Sequence, residues 1–271
     1  DDLFAQKLCR GKDLIVFDGF PQAHRVHAST TGIERYLPTV AGLYLEHEVE
    51  MLSNLIENPA KPFTVIIGGA KISDKVDAVN NLLNLADKVL VGGAVANVFL
   101  KAQGRELGSS FIEDVFVDEK KREKKDWVVY AREILDKYKD KIMCPNDLVI
   151  SDGPSTKIID IFKDEVPDKW IALDIGPKTQ KSFSDIILPS KTVFLACPMG
   201  KFEDEKFEQG SEAILLAMKK VAGDTIIAGG DTISMANRYG NLKDYSHVSL
   251  AAGATLEFLA GKELPALKML Q

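Results

Sequence analysis

The chain has 271 residues, of which 45% are hydrophobic and 27% are charged, an ordinary globular composition with room for one large or two modest domains. Its net charge of −6 argues against a nucleic-acid-binding protein, and no apolar run approaches the roughly 18 residues of a membrane span, so we expect neither a nucleic-acid nor a membrane partner. The three cysteines lack metal-binding spacing, and without a glycosylation sequon or a signal peptide we expect a cytoplasmic or another reducing compartment, not secretion.

The first part of the chain contains two predicted helices and one predicted strand. Residues 4–8 have the pattern of a helix end, and residues 14–17 form an apolar run typical of a strand. Residues 43–56 carry an apolar stripe at helical spacing, and the pairs Asn58-Pro59 and Lys61-Pro62 follow it. These prolines indicate a boundary near residue 60.

From residue 63 onward, predicted strands and helices alternate. The predicted strands are residues 64–67, 88–91, 147–150, 170–173, 192–196, 225–228 and 247–250. The predicted helices are residues 73–85, 95–103, 127–139, 210–221, 232–239 and 254–259. This alternation predicts a parallel sheet with helices on both faces, in which ligands bind beyond the carboxyl ends of the strands. Three glycine pairs directly follow strands and are expected to line that edge: 68–69, 92–93 and 229–230.

The segment TVIIGGAKISDK, residues 64–75, has the pattern of a phosphate-binding turn. Its Gly-Gly pair lets a ligand approach the backbone, and Ser73 is the predicted N-cap of the following helix. Lys71 and Lys75 lie four residues apart and would direct both ammonium groups toward an anion at the helix start. A plain strand-to-helix turn with two solvated lysines is the alternative. The segment does not fit the P-loop pattern G-x-x-x-x-G-K-[ST].

Two further features are predicted to carry no chemistry. Residues 118–126 mix both charge signs without an aromatic residue, which favours a solvated helix start or loop over a nucleic-acid patch. His24 and His27 have no nearby carboxylate or cysteine in the sequence, so this pair is predicted to be structural and not a metal site.

Motifs along nearly the whole chain together resemble those of the phosphoglycerate kinase family. They are AHRVHAST at 23–30, GGAKISDK at 68–75, VGGAVANVFLKAQG at 91–104, DIGPKT at 174–179, PMGKFEDEKF at 198–207, GGDT at 229–232 and AGATLEFLAGKELP at 252–265. The resemblance implies a kinase that moves a phosphoryl group between 1,3-bisphosphoglycerate and MgADP, giving 3-phosphoglycerate and MgATP. In that family a substrate domain and a nucleotide domain close about a hinge.

The resemblance also implies a domain organisation. The implied fold class is α/β, a three-layer parallel sheet with helices on both faces, together with a partial second α/β domain. The parts are residues 1–43, the remnant of the substrate-binding domain; 44–59, the interdomain helix; 60–245, the nucleotide-binding domain; and 246–271, a C-terminal strand, helix and tail that return toward the N-terminal part.

The resemblance assigns roles to four charged residues. Lys75 would meet the transferring phosphoryl group, and Lys71 would bind the nucleotide phosphates. Asp231 would bind Mg²⁺ that also contacts ADP or ATP, although an N-cap of the next helix explains this residue equally well. Glu203 would bind the ribose, and without the resemblance it would be interpreted as a surface glutamate.

Further implied site residues contribute mainly backbone and apolar contacts. The nucleotide would also contact Gly69, Ala70, Gly92, Gly93, Leu173, Pro198, Gly230 and Thr232. On the substrate side only Arg25 maps onto a family arginine, and from the residues alone it is better explained as a surface arginine. Gly253 belongs to the helix start whose N–H groups would stabilise the phosphoryl group in flight.

The chain departs from the family pattern at several positions in or beside these motifs, including Ala228 in place of a glycine. Ala196 replaces a nucleotide-contacting asparagine, Lys201 replaces a valine beside the base, Ala251 and Ala252 stand in a glycine run, and Pro21 replaces a glycine. Loss of one donor near a transition state costs on the order of 10² to 10³ in rate. These changes suggest weakened selection for catalysis, and we expect this chain alone to be inactive.

Two hypotheses therefore remain. In the first, the chain is part of an active kinase that binds nucleotide, Mg²⁺ and 3-phosphoglycerate and whose other substrate residues lie elsewhere in the polypeptide. In the second, it is a degenerate relative that serves as a structural or interaction subunit, with or without nucleotide binding. If these residues are the whole protein, the unpaired apolar strand 14–17 requires a covering protein partner; otherwise we expect a monomer.

Overall fold

The computed structural model describes residues 2–118 and 123–270. The helices are α1 (Asp2–Cys9), α2 (Leu43–Glu57), α3 (Val76–Leu85), α4 (Gly93–Ala102), α5 (Trp127–Lys137), α6 (Pro177–Ile187), α7 (Gln209–Met218), α8 (Gly230–Tyr239), α9 (Gly253–Leu259) and α10 (Pro265–Lys268). The strands are β1 (Ile15–Phe17), β2 (Thr39–Ala41), β3 (Phe63–Ile67), β4 (Lys88–Val91), β5 (Val115–Asp118), β6 (Glu123–Asp126), β7 (Ile142–Met143), β8 (Asp147–Ser151), β9 (Thr156–Asp160), β10 (Ile171–Ile175), β11 (Thr192–Ala196), β12 (Asp224–Ala228) and β13 (His247–Ser249). Within the described ranges, no helix combines the length and the apolar character that crossing a bilayer requires.

A six-stranded sheet with the order β13-β12-β11-β3-β4-β7 lies at the centre of the fold. Every neighbouring pair in it runs parallel. The strands β3 and β11 are buried along their whole length, because their side chains are apolar on both faces of the sheet. The predicted parallel sheet is confirmed, and the predicted strands 88–91 and 192–196 match the structure residue by residue.

Side chains of the central strands alternate between two apolar cores. Val65 and Ile67 of β3 lie in one core with residues of α2, α3, α4, α5 and α9. Ile66, between them, lies in the opposite core with residues of α6, α7 and α8. Because successive side chains of a strand point to opposite faces, the sheet is the middle of three layers. The predicted fold class is therefore confirmed.

Two of the predicted strands belong to a different sheet. β8 and β10 pair antiparallel, and β9 joins β8 on its other side. The prediction that residues 147–150 and 170–173 extend the parallel sheet is thus wrong. The connection between β8 and β9 is a short turn in which Asp152 Oδ1 accepts from Ser155 N at 2.8 Å and Gly153 has φ of 104°. A turn this short can join only antiparallel strands.

The charged run at residues 118–126 also differs from its prediction. Residues 123–126 form β6, which pairs antiparallel with β5, and not the predicted helix start or loop. Residues 119–122 of the run lie outside the described residues.

Before residue 43 the structure is small and open. β1 and β2 form a two-stranded parallel sheet in which Val16 lies opposite Val40, and these side chains are 60% and 45% exposed. Leu14, two residues before Val16, is also exposed. These three residues, on one face by strand alternation, are the open strand face. Parallel strands are normally buried on both faces, so this pair is unusual.

Helix α2 connects this small sheet to the rest of the chain. Its buried side includes Leu52 and, unexpectedly, Glu48, whose Oε2 lies 3.2 Å from Nε2 of His247 on β13. Tyr44 donates its hydroxyl proton to Glu48 Oε1 at 2.5 Å. A carboxylate fully withdrawn from water needs such partners, so the pair anchors α2 to the edge strand of the large sheet. The division of the chain into domains at residues 43, 59 and 245 stays a prediction.

Candidate functional site

A cavity of about 360 Å³ opens beyond the carboxyl ends of the parallel strands, where α/β sheets bind their ligands. Seven of the predicted nucleotide-binding residues line it: Gly69, Ala70, Gly93, Leu173, Pro198, Glu203 and Asp231. Seven other predicted site residues do not line it: Lys71, Lys75, Gly92, Gly230, Thr232, Arg25 and Gly253. The cavity therefore brings together one half of the predicted site, and the other half surrounds or lies apart from it.

Two glycine turns form one wall of the cavity through close backbone contacts. Gly69 N donates to Pro198 O at 2.8 Å, and Gly93 N donates to Met199 O at 2.7 Å. Gly93 has φ of 57°, and a Cβ atom there would lie 2.8 Å from the backbone nitrogen of Gly69. Only glycine fits this position, because a side chain would collide with the neighbouring turn. Gly92 is buried behind the turn, where a Cβ would meet the sulfur of Met199.

The two lysines of the first turn occupy different environments. Lys75 is only 6% exposed, and its Nζ donates to Lys71 O at 3.0 Å. Within residues 2–118 and 123–270, no carboxylate forms an ion pair with Lys75. A buried cation without a carboxylate partner is an arrangement that a bound anion would compensate. Lys71 is exposed, so the two lysines differ in burial, and the expectation that both ammonium groups point the same way stays a prediction.

The predicted helix start at Ser73 is also wrong. α3 begins at Val76, and no side chain caps it. Ser73 instead donates its hydroxyl proton to Glu113, and Lys75 N donates to Ile72 O, so a hydrogen-bonded turn precedes the helix. Residues 71–75 therefore lack the helical spacing on which the expectation about the two lysines was based.

Lys75 adjoins Cys197, a residue with unusual backbone geometry. Cys197 has φ of 71°, in the left-handed region that favours glycine, and it directly follows β11. Burial raises the pKa of its thiol, and the nearby Lys75 ammonium opposes that effect. A point built as a Cβ on Gly69 lies 3.4 Å from Cys197 Sγ and 3.5 Å from Lys75 Nζ, so all three groups surround the same turn.

The start of α8 places an exposed carboxylate at the cavity edge. Gly229 is the N-cap and Gly230 the first helical residue, with no side-chain cap, so the alternative role of Asp231 as an N-cap is wrong. Asp231 is exposed and lines the cavity. Thr232 is buried, and its hydroxyl accepts from Cys197 N at 2.9 Å, which makes it a support for that turn. Gly230 is exposed, with open space where its Cβ would be.

The opposite wall of the cavity includes the end of β10 and the segment after β11. Leu173 is half-buried there, and its carbonyl accepts from Lys201 N at 2.7 Å. Lys201 and Glu203 both line the cavity and have exposed side chains. The lysine that replaces the family valine therefore lies in the wall of the cavity itself.

Asp174 is a buried carboxyl group in this wall that the sequence did not single out as a site residue. Burial raises its pKa to about 7, against the opposing effect of hydrogen bonds from Gly210 N and Ile175 N. A Cβ on either Gly200 or Gly210 would overlap its carboxylate. Asp174 therefore joins the end of β10 to the start of α7. The motif DIGPKT contains this residue and was the available signal.

Four other contributing residues were not predicted. Asn97, Phe111 and Met199 line the cavity, and Asn97 donates from Nδ2 to Phe111 O at 3.0 Å. Glu113 accepts hydrogen bonds from the turn that carries the two lysines. Asn97 and Met199 occur in two of the motifs quoted above, whereas no local pattern marks Phe111 or Glu113.

Arg25 and Gly253 lie together, away from the cavity wall. Arg25 is exposed and donates from Nε to His24 Nε2 at 3.3 Å. A Cβ on Gly253, at the start of α9, would lie 3.5 Å from the same His24 nitrogen. His24 Nδ1 is buried without a hydrogen-bond partner. In the part of the chain that the structure describes, no group of three or more His, Cys, Asp or Glu residues could hold a metal ion.

The departures from the family pattern are accommodated without clashes. Ala196 ends β11 and is buried, and its carbonyl accepts from Gly68 N at 2.9 Å. Ala251 is buried, while Ala252 is exposed at the N-cap of α9 with φ of −104°, which alanine adopts readily. Pro21 lies in a short 3-10 helix at residues 20–22, where its fixed φ fits. None of these residues has a positive φ.

The chain resembles proteins of one family along almost its whole length. The family model described as phosphoglycerate kinase matches residues 1–262. A phosphoglycerate kinase of Thermosipho africanus is 43% identical over 275 aligned residues, covering 98% of this chain and 65% of the relative. One of Pseudothermotoga lettingae is 42% identical, covering 94% of this chain and 63% of the relative. The chain thus spans just under two thirds of the length of these relatives.

Solved structures agree with the sequence relatives. A phosphoglycerate kinase from Pyrococcus horikoshii superimposes with a TM-score of 0.87 at 32% identity, covering all of this chain and 68% of that one. The enzyme from Coxiella burnetii gives a TM-score of 0.85 at 34% identity, with coverage of 100% and 69%.

Proposed function

The chain belongs to the phosphoglycerate kinase family, and from this premise we propose that it forms the nucleotide half of a kinase for reversible phosphoryl transfer between 1,3-bisphosphoglycerate and MgADP. The observation that carries the proposal is Lys75, a buried cation with no carboxylate partner in the described residues, beside the Gly69 turn. Phosphoryl transfer depends on positioning and charge stabilisation more than on covalent chemistry, and these are the features present.

The proposal gives the lysines and Asp231 distinct tasks. Lys75 would stabilise the negative charge of the transferring phosphoryl group, because a cation held in a water-poor site interacts strongly with an anion. Lys71, exposed on the same turn, would reach the nucleotide phosphates. Asp231 offers a hard oxygen ligand at the cavity edge, which suits Mg²⁺ because that ion usually binds one or two carboxylates together with phosphates. The ion would neutralise phosphate charge.

The rest of the cavity would hold the nucleoside. Leu173 and Pro198 provide apolar surface for the base, and Glu203 provides acceptors for ribose hydroxyls. Gly69, Ala70 and Gly93 would let the phosphates approach the backbone. This assignment uses residues from three turns that follow parallel strands, as expected for nucleotide sites in α/β folds.

The substrate half of the reaction needs residues beyond those already named. Arg25 and the start of α9 at Gly253 would contribute to binding 3-phosphoglycerate and to stabilising the phosphoryl group in flight. The relatives are longer than this chain, and we propose that the corresponding additional polypeptide supplies most substrate contacts. Without it, we expect no turnover.

Calorimetric titration with MgADP tests the nucleotide half. We expect saturable binding by the unmodified chain and a loss of affinity of about 10- to 100-fold in Lys75→Ala, the range that follows from removing a charged hydrogen-bonding group. Lys71→Ala and Asp231→Ala should also weaken binding. Lys163→Ala, an exposed lysine outside the cavity, is the matched control and should not. Absence of binding at millimolar MgADP would contradict the proposal.

A specific observation favours a second candidate, a structural or interaction subunit. The open strand face (Leu14, Val16, Val40) exposes apolar side chains on a sheet of only two parallel strands. Such a surface favours association with another polypeptide. Sedimentation equilibrium of the unmodified chain and of Val16→Lys tests it. Concentration-dependent association that the lysine abolishes supports this candidate, and a monomer at all concentrations contradicts self-association.

A further inference from the structure

The turn that carries Lys71 and Lys75 is held by a carboxylate distant in sequence. Glu113 Oε2 accepts from Ile72 N at 2.6 Å and from Ser73 N at 3.0 Å, and Glu113 Oε1 accepts from Ser73 Oγ at 2.5 Å. The two residues lie 41 and 40 positions before Glu113. Hydrogen bonds to a carboxylate are among the stronger ones in proteins, so three of them fix the middle of this turn firmly.

This contact continues directly to Lys75. Ile72, which donates to Glu113, accepts from Lys75 N at 2.9 Å through its carbonyl oxygen. Lys75 O then accepts from Val79 N at 2.8 Å, the first backbone bond that leads into α3. Because no side chain caps α3, the position at which the helix begins depends on this series of bonds. The placement of the Lys75 ammonium depends on it as well.

The segment that carries Glu113, residues 111–113, also contributes to the lining of the cavity. Phe111, two residues before Glu113, lines the cavity with an exposed ring. Its carbonyl accepts from Nδ2 of Asn97, a residue of α4 that is 3% exposed and also lines the cavity. Residues 111–113 therefore connect the cavity lining at Phe111 with the turn that would contact the phosphates.

We propose that Glu113 is a positioning residue that holds the Lys71–Lys75 turn in place for the phosphates of a nucleoside diphosphate. This inference rests on the proposed function, because it concerns the same cavity. Glu113 acts through Ile72 and Ser73 and not by touching the ligand. This positioning role predicts that loss of the Glu113 carboxylate weakens the binding of the phosphates and leaves the binding of the nucleoside nearly unchanged.

The test compares MgADP with adenosine as calorimetric probes of Glu113→Gln. An amide has one acceptor oxygen and presents an NH₂ group, so at least one of the three donors loses its partner. We expect MgADP affinity to fall about tenfold and adenosine affinity to change less than about twofold. Ser73→Ala removes one of the three bonds and should shift the MgADP-to-adenosine ratio in the same direction by less. Glu165→Gln, the same change at an exposed site, is the control.

The outcomes separate this inference from the function on which it rests. If the unmodified chain does not bind MgADP, the proposed function and this inference both fail. If it binds and Glu113→Gln leaves the ratio unchanged, or weakens MgADP and adenosine equally, the positioning role alone is wrong. Thermal unfolding of each variant shows whether it is folded, and the ratio stays informative for a folded but less stable variant because each protein supplies its own adenosine reference.

Discussion

Residues 63–249 and residues 2–42, on either side of α2, differ in how much of their apolar surface is buried. In the first region helices cover both faces of the parallel sheet, and Phe194 and Ile66 have no exposed surface. In the second, β1 and β2 leave Val16 and Leu14 more than half exposed. The core under the cavity-bearing sheet is closed, and Phe17 and Phe20 of the N-terminal region help to form it together with α2. The N-terminal region instead leaves one apolar strand face in contact with solvent.

The sharpest test of this comparison removes apolar atoms from each region. Phe194→Ala, in the central strand β11, should lower the free energy of unfolding by about 3 to 5 kcal/mol, since it leaves a cavity in a closed core. Val16→Ala, on the open strand face, should change it by less than about 0.5 kcal/mol, because that side chain is already in water. Guanidinium unfolding measures both. A cost near 2 kcal/mol for Val16→Ala would mean that this face is covered in solution.

A second test asks whether the carboxyl group of Asp174, in residues 63–249, is buried away from water. The pKa of Asp174 is raised from 3.8 to about 7, so between these values the folded chain keeps a proton that the unfolded chain releases. The contribution of Asp174 to the free energy of unfolding is therefore largest below pH 4, declines as the pH rises to 7 and is constant above pH 7. The decline should be on the order of 4 kcal/mol.

Comparison with Asp174→Asn isolates the effect from the other carboxyl groups. The difference in unfolding free energy between the unmodified chain and this variant should change between pH 4 and 7 and be constant above pH 7.5. Asp13→Asn, an exposed aspartate of the N-terminal region, is the control. A pH-independent difference for Asp174→Asn would show that water reaches its carboxylate.

The smallest expected effect concerns backbone strain inside the otherwise well-packed region. Cys197, with φ of 71°, occupies a conformation that costs an L-residue roughly 1 to 2 kcal/mol, while glycine loses about 0.5 to 1 kcal/mol of chain entropy on folding. Cys197→Gly should therefore raise the free energy of unfolding by about 0.5 kcal/mol. Cys197→Ala, which keeps the strain, should not. A net loss in the glycine variant would mean that the thiol contacts near Lys75 outweigh the strain.

The sequence predicted the parallel strands well because burial on both faces leaves a local signature. Residues 88–91 and 192–196 are apolar runs that end at turns, and they form β4 and β11 as expected. Residues 147–150 carry a similar run, yet β8 pairs with β9 and β10 and not with the parallel sheet. A strand's own residues indicate that it is extended, but its partner depends on turns and contacts elsewhere.

The same distinction holds within the candidate site. Gly69 and Gly93 were recognisable because positive φ and close backbone approach require glycine, and their φ values are 86° and 57°. Ser73 was misassigned as a cap because the acceptor for its turn, Glu113, lies forty residues away. Lys75 was singled out by its place at the predicted helix start and received its role from the resemblance, but its burial follows from that nonlocal turn geometry and not from its spacing to Lys71.

The order of strands in the large sheet has a consequence for the time at which the cavity first exists. β3 and β11 are neighbours, and Thr64 and Ser190, 126 residues apart, share a hydrogen bond of 2.8 Å at the start of this pairing. Gly69 and Pro198 meet across the other end of the same pair. Gly69 and Pro198 both line the cavity, so a growing polypeptide must extend beyond Pro198 before this part of the cavity wall can form. Closing so long a loop is slow compared with forming local helices.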